Sequence, residues 1–128
     1  GHSDADVLLH AVTDAILGAA ALGDLGMHFP TSNARWRGAA SGDFLRHALS
    51  LAREARWVLG NIDATIRAER PRLAPHLDAI RASIASLAEI EPGRASVKAK
   101  SGEGLDAVGR GEAIAASAVV LLDAVPLN

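Results

Sequence analysis

The chain has 128 residues, with 13 basic against 15 acidic side chains and no cysteine. That length fits one domain with one modest core, and the missing thiols exclude disulfides and thiolate metal sites. Near-neutral charge, with Phe29, Trp36, Phe44 and Trp57 as the only aromatic residues besides histidine, argues against a nucleic-acid partner, since that needs a basic face or stacking platforms.

In chain order, Ser3 and Asp6 form an acidic capping box that opens a helix running to about Leu22. Leu8, Val12, Ala15 and Ala19 recur along it at helical spacing, and Gly23 is its expected stop. Residues 26–40 read as a long loop around Pro30, Thr31, Ser32, Asn33 and Gly38. Ser41 is the expected cap of a second helix, with Phe44, Ala48, Ala52 and Ala55 on one face and Gly60 at its end. From Asn61 to Glu69 the period changes to two, which predicts a strand closed by Pro71. Pro75 suits the first turn of a third helix with Leu77, Ile80, Ile84 and Leu87 on its buried stripe. Glu91-Pro92-Gly93 is a turn, and Ala95 to Lys100 alternates again. A glycine-rich stretch follows to Gly111.

The last strand, about Glu112 to Leu122, is apolar on both faces. That predicts a central strand or one buried between subunits. Its apolar run is too short to span a bilayer. No signal peptide is visible, so the expectation is a cytoplasmic protein with no membrane partner. The order helix, helix, strand, helix, strand, strand predicts an α+β two-layer sandwich, helices on one sheet face and the other face open to partner chains.

Three constellations carry potential chemistry. Asp6, His10 and Asp14 share one helical stripe; an imidazole between carboxylates suits a divalent metal, and equally a solvated row of helix-stabilising charges. His2 lies at the helix N-terminus, where backbone amides favour a phosphate. Lys98, Lys100, Ser101, Gly102 and Glu103, with Gly109-Arg110-Gly111-Glu112, resemble a phosphate cradle in which Glu103 holds a hard cation; the same composition also describes a plain turn. Ala68 to Ala74 is a proline-fixed loop after a strand, suited to reading a base edge or simply to connecting strand and helix.

Taken in order, the segments Gly1-His2-Ser3-Asp4-Ala5-Asp6-Val7-Leu8-Leu9-His10, Gly23-Asp24-Leu25-Gly26, His28-Phe29-Pro30, Asn61-Ile62-Asp63-Ala64-Thr65-Ile66, Leu73-Ala74-Pro75-His76 and Gly109-Arg110-Gly111-Glu112 closely resemble the 2-C-methyl-D-erythritol 2,4-cyclodiphosphate synthase family of the non-mevalonate isoprenoid pathway. The resemblance covers the whole chain. It implies a homotrimer of mixed-sheet sandwiches with the sheets facing the trimer axis and active sites between subunits. The implied reaction converts 4-diphosphocytidyl-2-C-methyl-D-erythritol 2-phosphate to the 2,4-cyclodiphosphate and CMP.

The resemblance also assigns roles. His2 and Ser101 flank the transferring phosphoryl group. Ser3, Asp24 and Gly26 hold the erythritol and its phosphate, and Leu25, Phe29, Pro30, Thr31, Ser32 and Asn33 also bind substrate. Ala68, Glu69, Arg70, Pro71, Arg72, Leu73 and Ala74 form the cytosine pocket. Arg110 reaches substrate phosphates, and Lys100, Gly102, Glu103 and Ala107 also bind substrate. His10 ligates Zn²⁺, and Glu103 holds Mg²⁺ or Mn²⁺.

The family completes its zinc site with an Asp-x-His pair on a preceding strand. This sequence opens on Gly1, inside the family motif, so the expectation is an N-terminally truncated single domain, 1–128, with little turnover by itself. Against the family pattern, Thr31-Ser32-Asn33 loses two carboxylates, Glu69 replaces a glutamine, Lys100-Ser101-Gly102 replaces three threonines, and Asp106-Ala107-Val108 removes an aromatic. The alternatives are a non-catalytic trimeric homologue that binds a nucleotide or diphosphate, and one domain of a bifunctional cytidylyltransferase/cyclodiphosphate synthase.

Overall fold

A computed structural model describes residues 2–30, 32–69 and 73–126, with side chains from residue 4 onward. Its elements are helix α1 (His2–Ala19), a short helix α2 (Leu25–His28), helix α3 (Ser41–Glu54), strand β1 (Trp57–Arg67), helix α4 (Leu77–Ala88), strand β2 (Ala95–Lys100) and strand β3 (Ala115–Ala124). The sheet order is β2-β1-β3, with β1 parallel to β2 and antiparallel to β3.

Alternation sorts the sheet into two faces. Ile62, Ala64 and Ile66 of β1 are buried, and the register sets them beside Ala95, Val97 and Ala99 on one side and Val120, Ala118 and Ala116 on the other. The helices cover this face: α1 packs on β1 and β3, α4 on β2, and α3 against α1 and β1. The predicted two-layer α+β sandwich with a mixed sheet is the fold observed.

Element ends depart from expectation for local reasons. Helix α1 stops at Ala19 because Ala21 turns left-handed (φ 58°). The Leu22 amide donates to the Leu17 carbonyl (2.8 Å) and the Ala21 amide to Gly18 (3.0 Å), the paired closure of a Schellman turn. The inward stripe of α1 is Leu8, Leu9, Val12, Thr13, Ile16 and Leu17, all buried, while Ala19 faces solvent. Helix α3 ends six residues before Gly60, at a left-handed Arg56 (φ 73°). Gly60 instead lies inside β1, where the register with β3 skips between Leu59 and Asn61. A Cβ there would stand 2.8 Å from an Asp123 carboxylate oxygen, so glycine serves the bulge. Strand β1 ends at Arg67, short of Glu69.

Strand β3 corrects the expectation of a central strand. It is an edge strand, and its outward residues Val119 and Leu121 are 73% and 59% exposed in the single chain. Apolar composition on both faces reports what each face touches, which within one chain is the helices on one side only.

Long as it is, the 26–40 segment is not featureless: beyond α2, its described residues make tight turns from Asn33 to Ala39. Phe29 anchors it. That ring lies 4.6 Å from Trp36, edge to face, 4.9 Å from Phe44 and 5.6 Å from His47. Burial, reinforced by the positive charge of Arg35 and His28, holds the His47 imidazole below its ordinary pKa. Phe29→Ala is therefore expected to cost about 3–5 kcal/mol of stability, read as a lower midpoint in urea unfolding followed by tryptophan fluorescence.

Candidate active site at the strand ends

The site residues fall into two groups. The first lies on α1 and the segment that follows it. Asp6, His10 and Asp14 do share an exposed stripe of α1. They are not, however, a metal cluster: among the described residues no three His, Cys, Asp or Glu side chains are arranged to hold an ion. Each does something separate where its contacts are described. Asp14 Oδ1 accepts the Leu25 amide (3.0 Å), and Asp24 Oδ1 accepts the Met27 amide (3.0 Å) as N-cap of α2. Two carboxylates thus fix the turn carrying Leu25 and Gly26.

His10 Nε2 lies 3.2 Å from the hydroxyl of Ser41, and its ring stands 5.8 Å from that of Phe44. Ser41 was the expected cap of α3. It is instead the first helical residue, Ala40 takes the cap position without a side-chain bond, and the serine hydroxyl reaches across to α1. The side chains of His2 and Ser3 lie outside the described residues, as does Thr31. Phe29 is buried in the core. Pro30 is half-buried, and Ser32 and Asn33 are exposed in the turns beyond it.

The second group gathers where β1 and β2 end side by side. The Ala68 amide donates to the Lys100 carbonyl (3.0 Å), one residue past the end of β1. Glu69 Oε2 accepts the Gly102 amide (3.0 Å). At least one oxygen of this carboxylate serves the neighbouring loop. Arg70, Pro71 and Arg72 lie outside the described residues. Leu73 is buried in the core, and Ala74 opens the 3-10 turn Ala74–His76 that leads into α4.

Ser101, Gly102 and Glu103 follow β2 directly. Ser101 Oγ accepts the Glu103 amide (3.2 Å), and Glu103 takes a left-handed backbone (φ 52°) that presents its carboxylate to solvent. Gly102 is buried, and a Cβ on it would lie 2.3 Å from the Gly109 nitrogen. Only glycine permits the loop to fold back this closely. Asp106 closes the fold: Oδ1 accepts the Gly109 amide (2.9 Å) and Oδ2 binds Arg67 (2.9 Å). Ala107 is half-buried, and Arg110 pairs through Nε with Glu112 (3.0 Å). Sequence reasoning missed Ser41 and Asp106, whose roles depend on partners 31 and 39 residues away. For Asp106 the Asp-x-x-Gly spacing was a usable local signal.

A groove of about 230 Å³ between Ala5 and Leu9 of α1 and His76, Ala79, Ile80, Ser83 and Ile84 of α4 sets the start of α1 beside the element that follows the Ala68–Ala74 loop. The fold and site define an α+β sandwich with polar loops at the carboxyl ends of two parallel strands, where such sheets bind ligands. The chain belongs to the YgbB family, whose model matches residues 1–123.

It is 55% identical over 121 residues to the 2-C-methyl-D-erythritol 2,4-cyclodiphosphate synthase of Xylella fastidiosa, an alignment covering 94% of this chain and 69% of that one. Among solved structures it resembles the bifunctional IspDF from Campylobacter jejuni, at a TM-score of 0.87 and 37% identity over 92% of this chain. The chain spans only 32% of that longer protein. The CDP complex of Plasmodium falciparum IspF superposes at a TM-score of 0.82 with 30% identity, covering 94% of this chain and 72% of that one.

The Gly109 amide, and after it the Arg67 guanidinium, hold the Asp106 carboxyl below its usual pKa. A carboxyl with a depressed folded value stabilises its loop above the unfolded value, and that contribution is lost as pH falls through the folded one. The Gly109 amide resonance is expected to stay constant through the ordinary aspartate range and to move only at lower pH. In Asp106→Asn that acid inflection disappears.

Proposed function

We propose that this chain converts 4-diphosphocytidyl-2-C-methyl-D-erythritol 2-phosphate to 2-C-methyl-D-erythritol 2,4-cyclodiphosphate with release of CMP. The observation that carries this reading is the 55% identity to a synthase of that name, within a family match over residues 1–123 that takes in both groups of site residues. An oxygen of the 2-phosphate attacks the β-phosphorus and forms a new P–O bond. The P–O bond to the cytidylate breaks, and CMP leaves with the electron pair. Phosphoryl transfer of this kind is catalysed mainly by positioning and by stabilising charge on the phosphoryl oxygens.

The Ala68–Ala74 loop takes the cytosine, the role the resemblance gives it; that a related Plasmodium protein is solved as a CDP complex supports a cytidyl ligand. Ser101 and His2 serve the transferring phosphoryl group, the roles the resemblance gives them. Lys100 and Arg110 bring positive charge to the diphosphate, and the Asp24–Gly26 turn holds the erythritol. Glu103 is a single exposed carboxylate, the donor that Mg²⁺ or Mn²⁺ uses when phosphates fill most of its shell. Bound there, such an ion neutralises diphosphate charge. For Zn²⁺ the described residues supply the one imidazole of His10, whereas a catalytic site takes three protein ligands. They do not by themselves fit the metal, and no step is assigned to it.

Reading the coding sequence upstream of Gly1 is the first test of the zinc assignment, through an Asp-x-His pair. The whole gene product, supplied with Zn²⁺ and Mg²⁺, is then expected to release CMP from the diphosphocytidyl substrate. His10→Ala should slow release by about 10- to 100-fold or more; an unchanged rate overturns the role given to His10.

The exposed sheet face with Val119 and Leu121 is the surface offered to partner subunits of a trimer. Large apolar side chains in a row are otherwise unfavourable at a water-facing edge strand. Val119→Asp is expected to shift the sedimenting species from trimer to monomer in analytical ultracentrifugation.

A further inference from the structure

A groove of about 460 Å³ opens in the helical layer, between the turns of residues 33–39 and α3. That volume is in the range of small-molecule sites. Arg35 and Trp36 line it from the turns, and Asp43, Arg46, His47 and Ser50 from the helix. None of these six belongs to either group of site residues above. The groove also lies across the sheet from Val119 and Leu121, because the helices cover the opposite face.

Its charged groups are held in place. The Arg35 guanidinium carbon stands 4.5 Å from the centroid of the Trp36 ring, which is itself buried. A cation over an indole is attracted to the ring, so this one is fixed without a carboxylate. Arg46 donates through Nη2 to Asp43, one turn earlier on α3. A guanidinium has five N–H donors, and this bond uses one. Ser50 follows Arg46 by four residues and brings a hydroxyl to the same side of the helix. Two guanidinium groups thus share the groove with one carboxylate, which leaves it positive. The His47 imidazole responds to this wall: burial first, then Arg35 and His28, lower its pKa, against a smaller opposite pull from Glu54. The wall is therefore both sheltered from water and positively charged. Planar guanidinium forks match the oxygens of a phosphate, and such charge-assisted bonds are about twice as strong as neutral ones.

We propose that this groove is a second oxyanion site, separate from the strand-end loops, which takes the phosphate group of a small phosphate monoester between Arg35 and Arg46. Bound there, the ligand ties the turns of residues 33–39 to α3 and relieves the repulsion between the two guanidinium groups. The proposal goes beyond the reaction described above and does not rest on it.

The probe is glycerol 2-phosphate, titrated into the whole gene product and followed through the indole N–H resonances of Trp36 and Trp57. The Trp36 resonance is expected to move saturably while that of Trp57, outside the groove, stays in place. Glycerol, acetate and sodium chloride at matched ionic strength should leave Trp36 unmoved. Arg46→Ala is expected to weaken the response at least about 10-fold, the loss of one hydrogen bond to a charged group. Its urea midpoint should stay at the wild-type value, because the side chain is exposed and surface ion pairs contribute little. Arg46→Lys keeps the charge without the fork and is expected to fall between the two. A Trp36 response that does not saturate, that sodium chloride or acetate reproduces, or that survives Arg46→Ala at full strength overturns the site and leaves the functional reading intact.

Discussion

Parallel pairing of β1 with β2 is the constraint on which the site depends. Parallel neighbours cannot be joined by a hairpin, so the chain must leave β1, cross over through α4 and return before β2 can begin. Both strands then finish at the same end of the sheet. Two segments more than 30 residues apart in sequence, around Glu69 and Gly102, are delivered to one place. The Ala68 amide on the Lys100 carbonyl carries the pairing one step past the strand and holds the two exits side by side.

Carboxylates are the second organising element, and most of those with described bonds near the site brace backbone. Asp14 and Asp24 hold the turn at α2, Glu69 holds Gly102, and Asp106 holds Gly109. Each satisfies an N–H that a bent loop would otherwise leave without a partner, and an anionic acceptor makes such bonds stronger than neutral ones. Glu103, by contrast, is exposed on a left-handed backbone.

Existence and type of the major elements were legible because periodicity reports burial. Ile62, Ala64 and Ile66 alternate and are buried; Leu77, Ile80, Ile84 and Leu87 recur at helical spacing and face the core wholly or in part. Boundaries were less legible. Gly23 and Gly60 looked like stops, yet the chain turned at Ala21 and Arg56, where hydrogen-bonded closure and the start of strand pairing outweighed the steric cost of a left-handed alanine or arginine. Ser41 looked like a cap because that is its commonest local role, and only a histidine brought in from α1 gave its hydroxyl another partner.

By itself the sequence determined the α+β order, the inward faces and, through ordered motifs from His2 to Glu112, the family. Those properties live in spacing along the chain and in residue identity, which folding does not change. Tertiary structure decided that Asp6, His10 and Asp14 are no metal cluster, that Phe29 is core, that β3 is an edge, and that Glu69 braces Gly102. Each of these depends on what stands across a gap in space, and a sequence records neighbours along the chain only.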